Sequence, residues 1–182
     1  MWYKYVLIVA IFYLLEILQN SFFAHFNLWG AVPNLVFIFF ILLVFFSVQG
    51  RPSFGLEIIF YGLSAGFFLD IFSSAFIGVS IILLIVIGLL IKRFQMLLVE
   101  NRGQFSFFQF LLVFVIAFLV YNFLLGFYFY FTQLGTTFWR LDLKLAGEIV
   151  YNLIFAAIFF FTYKKLTEGR LDNRQLSLFR KK

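Results

Sequence analysis

Apolar residues fall in six nearly continuous runs along the chain, separated by short polar breaks. The runs are approximately Tyr5–Leu18, Val32–Val48, Phe54–Phe72, Phe76–Ile91, Phe107–Phe131 and Leu141–Tyr163. They lack the period-2 alternation of a membrane β-barrel, and backbone in lipid must satisfy its own hydrogen bonds, so the pattern predicts helices. A span needs about 20 apolar residues; the second and fourth runs lie near the short limit and the fifth is long enough to tilt. The expected fold is all-α, a polytopic six-helix bundle in the membrane.

The breaks carry turn chemistry. Gly50-Arg51-Pro52-Ser53 divides the second run from the third, and Glu100-Asn101-Arg102-Gly103-Gln104 divides the fourth from the fifth. Ser73-Ser74-Ala75 is a weaker break. A turn is expected there because one helix over 54–91 would be about 57 Å long, nearly twice the bilayer core; a five-span alternative merges or re-enters at this point. The first run follows Met1-Trp2-Tyr3-Lys4 and no small-residue cleavage site succeeds it, so it reads as a retained helix.

Composition sharpens this picture. Of 182 residues, 64% are hydrophobic and only 12% charged, against about 25% charged in soluble domains. That excludes a soluble enzyme, a disordered chain and a nucleic-acid-binding domain. There are no cysteines, which removes disulfides, thiolate metal sites and cysteine nucleophiles. The net charge of +6 is concentrated in the last nineteen residues, where seven Lys or Arg face Glu168 and Asp172. The chain therefore divides by composition into a membrane domain, 1–163, and a basic tail, 164–182, suited to anionic lipid.

Lys and Arg also set the orientation. With six spans, Lys4, Arg51, Lys92, Arg93, Arg102 and the seven tail cations share one side, and only Arg140 and Lys144 lie on the other. Twelve against two places both termini in the cytoplasm. Trp2, Tyr3 and Tyr5 then flank the cytoplasmic face, and Trp29 and Trp139 fall in external loops.

Ionisable groups inside spans cost roughly 2.5–3.5 kcal/mol each at the helix centre, which makes them functional pointers. They are Glu16, Asp70 and Glu148, with Glu57 near a cytoplasmic boundary. Glu16, Asn34, Asn122 and Glu148 all map to a similar depth toward the exterior, as does Asp70. Three readings stay open: an outward-facing polar pocket, a packed hydrogen-bond cluster, or simple snorkelling of Glu16 and Asp70 with a Lys144–Glu148 pair at i, i+4. No catalytic constellation appears, since His25 is the lone histidine and no paired carboxylates flank a nucleophile. The 32 phenylalanines read as lipid-facing and packing bulk. The third run is the most organised: Gly62, Gly66 and Asp70 recur every four residues, a small-residue face ending in a carboxylate. Gly78 and Gly88 place small residues in the fourth run, as a tight antiparallel pair would need.

These residues carry a family resemblance. Pro33-Asn34-Leu35 opening a helix, Gly62-Leu63-Ser64-Ala65-Gly66-Phe67-Phe68-Leu69-Asp70, then Ser73-Ser74 and Gly78, resemble the rod shape-determining MreD family over residues 33–90. The chain departs from it in Ser74-Ala75-Phe76, where a Ser-Gly pair is common, and in its charged tail. The resemblance implies a non-catalytic, cofactor-free component of the bacterial cell-elongation machinery in the inner membrane. Its implied partners are a bitopic MreC-like protein, MreB filaments and the enzymes of lateral peptidoglycan synthesis. The implied fold is similar to the substrate-binding subunits of energy-coupling-factor vitamin transporters. A true vitamin-binding subunit is the alternative; against it, Ala10 stands alone among bulky residues where a small-residue coupling motif would sit.

Overall fold

A computed structural model describes residues 2–27, 30–47, 54–73, 76–98, 106–132 and 143–179. The regular elements among them are helices: α1 (Tyr3–Leu18, continued by a π-helical turn over Gln19–Phe23), α2 (Leu35–Ser47), α3 (Phe54–Phe72), α4 (Val79–Leu98), α5 (Phe107–Phe131) and α6 (Leu143–Phe179). Four of them, α1 with its π turn, α3, α5 and α6, are long and apolar enough to cross a membrane. The expected breaks at 50–53 and 100–104 lie outside the described residues, as do Ser74 and Ala75 of the break at 73–75 and Trp29, Trp139 and Arg140.

The helix α2 forms the axis of the bundle. Its sequence, LVFIFFILLVFFS, has no polar face, and Leu35, Val36, Phe37, Ile38, Phe40, Ile41, Leu42, Val44 and Phe45 are all buried. A helix apolar all round is stable only when enclosed, and α1, α3, α4, α5 and α6 all pack against α2. Phenylalanines make much of this enclosure. Phe37 meets Phe114, Phe118 and Tyr121 of α5, and Phe45 meets Phe110. Phe46 stacks on Tyr163 of α6, with ring centroids 4.5 Å apart. Outward-facing apolar residues such as Leu63, Ile82, Leu112 and Ile154 surround this core.

Three boundaries differ from the sequence reading. α2 begins at Leu35 rather than Val32, because Pro33 and Asn34 form its entrance. α4 begins at Val79, so Gly78 stands in the preceding turn, and it runs on through Lys92 and Arg93 to Leu98. α6 continues without a break past the end of the last apolar run at Tyr163, to Phe179. α5 starts where expected, and its start is capped reciprocally. Ser106 Oγ accepts from Phe108 N (3.1 Å), and Gln109 Oε1 accepts from Ser106 N (2.9 Å).

At the end of the bundle where α2 terminates, Lys4 Nζ of α1 lies 3.9 Å from Glu57 of α3. The opposite end, where α2 begins, gathers most of the remaining buried polar groups. α2 has 13 helical residues and is about 20 Å long, well under the ~30 Å of a bilayer core. Longer neighbours rise past its first residue, and the space above it is left for polar side chains.

Candidate functional site

The most extensive helix contact is between α3 and α4. Gly62 faces Ile85, Gly66 faces Ile81, and Gly88 faces Ile58. The partners descend on one helix as they rise on the other, so the pair is antiparallel. At Gly66 an added Cβ would lie 2.5 Å from Ile81 N and 2.8 Å from Ser80 C, so this is backbone against backbone. Gly62 meets Ile85 through both its side chain (Cγ1 at 2.7 Å) and its backbone (N at 3.1 Å), whereas Gly88 approaches side-chain atoms, Ile58 Cγ2 at 2.6 Å first.

Asp70 closes the pair. It is 2% exposed, and both carboxylate oxygens are used: Gly78 N donates to Oδ2 (2.6 Å) and Ser80 N donates to Oδ1 (2.9 Å). These donors flank the first residue of α4, where backbone N–H groups have no partner within their helix and favour negative charge. Asp70 of one helix is thus the cap of the next. The turn between them needs Gly78 for its backbone rather than for close packing: φ is +112°, and a methyl group there would have nothing within 4 Å. Snorkelling is overturned for Asp70: its charge is held inside the protein.

The four polar residues placed at one depth by the sequence, Glu16, Asn34, Asn122 and Glu148, line a single cavity of about 360 Å³ at the start of α2. Glu16 extends the buried stripe of Ile8 and Phe12 on α1 and is 1% exposed, so it does not snorkel either. Asn20 Nδ2 donates to Glu16 Oε1 (2.8 Å), whereas Glu16 Oε2 is buried with no hydrogen-bond partner among the described residues. Asn34 caps α2, its Oδ1 accepting from Phe37 N (2.9 Å). Asn122 Nδ2 donates to Phe118 O of its own helix (2.9 Å). Glu148 pairs with Lys144 at 3.9 Å, as the i, i+4 spacing allows.

Other lining groups escape a search for ionisable residues alone. Asn152 is 1% exposed; its Oδ1 accepts from Asn34 N (2.7 Å) and its Nδ2 donates to Glu148 O (2.7 Å), tying α6 to the entrance of α2. Gln19 Oε1 accepts from Leu35 N (2.9 Å). Ser80 Oγ and Tyr121 Oη lie 3.2 Å apart, linking α4 to α5 beside Asp70. A signal for several of these exists in helical spacing: Gln19 and Asn20 stand three and four residues after Glu16, and Asn152 stands four after Glu148. Side chains so spaced share a face, so each carboxylate marks the others. Among the described residues no group of three or more His, Cys, Asp or Glu could hold a metal ion.

The arrangement offers acceptors, carboxamides and hydroxyls around a polar space. Compared with known proteins, the chain matches the family described as rod shape-determining protein MreD over residues 3–168. No curated protein and no solved structure matches it.

Proposed function

The chain belongs to the rod shape-determining MreD family, and from that premise we propose that it is a non-enzymatic, six-span scaffold of the cell-elongation machinery. A role in rod shape determination comes with the family. The finer reading is that it binds a bitopic MreC-like protein and, through it, supports MreB filaments and the enzymes of lateral peptidoglycan synthesis. The observation that carries this reading is the extent of the match, which runs from the first residue of α1 into α6 beyond Tyr163.

In this reading α2 and α4 also lie in the membrane, completing six spans in an arrangement similar to the vitamin-transporter binding subunits. Both termini are cytoplasmic, and the inner membrane is the site of action. The polar cavity then opens to the exterior, while Lys4, Lys164 and Lys165 lie at the cytoplasmic face. The α3–α4 pair supplies a rigid surface for partners. Both oxygens of Asp70 are engaged within the chain, which favours its holding this pair together over its reaching a partner directly. The basic segment after Tyr163 contacts anionic lipid or a cytoplasmic partner, at about 1 kcal/mol per cation near the surface.

Recovery of the tagged protein from its native membrane in mild detergent, with copurifying proteins identified by mass spectrometry, tests the scaffold role. An MreC-like bitopic protein with wall-elongation enzymes is expected. An ATPase pair with a coupling subunit would instead establish the vitamin-transporter alternative. Asp70→Leu should lower recovery of the bitopic partner and disturb cell shape at equal membrane abundance; unchanged recovery and shape would remove the α3–α4 pair from the partner surface.

A further inference from the structure

The cavity above α2 has features that its structural role does not use. Asn152, Gln19 and Asn34 satisfy the start of α2, and Asp70 satisfies the start of α4. Glu16 serves neither. Its carboxyl group is held by Asn20 through one oxygen, and the other, Oε2, is buried with no partner among the described residues, in a residue that lines the open space. A buried polar oxygen left without a hydrogen bond is costly. Asn20 cannot relieve it further: its Nδ2 already donates to both Glu16 O and Glu16 Oε1.

Charge around the cavity is one-sided. Glu16 and Glu148 line it, and no Lys, Arg or His does among the described residues. Lys144, 3.9 Å from Glu148, has a side chain 62% exposed and so offsets that carboxylate only weakly. The remaining polar lining, including Asn34, Asn122, Asn152 and Tyr121, mixes donors with acceptors. A volume of about 360 Å³ lies within the range of small-molecule pockets, roughly 300–1,000 Å³. At about 30 Å³ per water-sized group it holds around a dozen heavy atoms, the size of one substituted ring.

We propose that this cavity is a binding site for a small organic cation, an amine-bearing molecule that also carries hydroxyl or amide groups, with Glu16 as the residue that receives its ammonium. The ammonium donates to Glu16 Oε2, and neutral hydroxyls or amides of the ligand pair with the carboxamides and Tyr121. The inference stands on the cavity, goes beyond the scaffold role, and survives or fails independently of which proteins copurify.

Thermal unfolding of the purified full chain in detergent tests it, with glucosamine, glucose and glucuronate as probes of matched shape and positive, zero and negative charge. Each is titrated to roughly 100 mM, enough to saturate a site of millimolar affinity. Glucosamine should raise Tm by about 5–10 °C, glucose by less, and glucuronate not at all. Glu16→Gln should abolish the difference between glucosamine and glucose. Asn122→Leu is the second variant: among the described residues Asn122 bonds only within its own helix turn, so the unliganded protein should unfold at nearly the same temperature while the larger apolar side chain removes the glucosamine shift. No shift with glucosamine, equal shifts with all three sugars, or a shift preserved in both variants would each overturn the site.

Discussion

A methyl group added at Gly66 meets the backbone of Ile81 and Ser80, which cannot move without separating α3 from α4. At Gly88 the obstacles are side-chain atoms, Ile58 Cγ2 and Phe40 Cζ, which can give by small shifts without moving the helix backbones. Overpacking a fitted interior costs about 1–3 kcal/mol, so Gly66→Ala should destabilise by at least that much and Gly88→Ala by clearly less. Reversible unfolding in mixed detergent, compared between the two variants, measures the ranking; equal losses would mean that the helix pair is looser than its spacing shows. The four-residue recurrence of Gly62, Gly66 and Asp70 already marks this face in the sequence. What it does not contain is the distinction between a glycine opposite backbone and one opposite a side chain, because that depends on the register of a second helix.

Helix starts organise the next scale. α2 starts under three side chains from three places: its own Asn34, Gln19 from the π turn, and Asn152 from α6. α4 starts under Asp70 from α3. In lipid no water replaces a missing cap, so these contacts decide where helices begin and which neighbours they keep. Asn152→Ala should cost about 1–3 kcal/mol, since it strands the part-buried N–H of Asn34 and frees α6 from the entrance of α2. Thermal unfolding of the variant reads this loss, and amide exchange at Asn34 and Leu35 should rise with it. A change below a few tenths of a kcal/mol would show that water reaches that N–H. Asn34 is legible locally as a cap after proline, but Asn152 stands 118 residues away and no local rule pairs the two.

At the scale of the whole molecule, the question is which end faces out. The absence of native cysteine makes single-cysteine labelling clean. His25, exposed near the end of the bundle where α2 begins, and Lys165, exposed toward the other end, serve as reporters. In intact cells a membrane-impermeant maleimide should label His25→Cys, and Lys165→Cys only after permeabilisation. The reverse pattern would invert the orientation and turn the polar cavity toward the cytoplasm.

Sequence by itself determined the class of protein, the number of apolar helices and their approximate limits, because bilayer thickness and backbone hydrogen bonding leave few ways to bury such runs. It also led to an expectation that a few polar groups lie at similar positions along their helices, and Glu16, Asn34, Asn122 and Glu148 line one cavity. The tertiary structure decided what those groups do. Whether a carboxylate at a given depth snorkels, caps a neighbour or stands open to a cavity depends on the rotation of each helix about its axis, which in a chain apolar on nearly every face is set by packing. Asp70 and Glu16 illustrate this: both are buried carboxylates, yet one is closed on α4 through two backbone N–H groups and the other keeps a free oxygen beside the space above α2. That space exists because the central helix is shorter than those around it, a relation between elements that no single stretch of sequence contains.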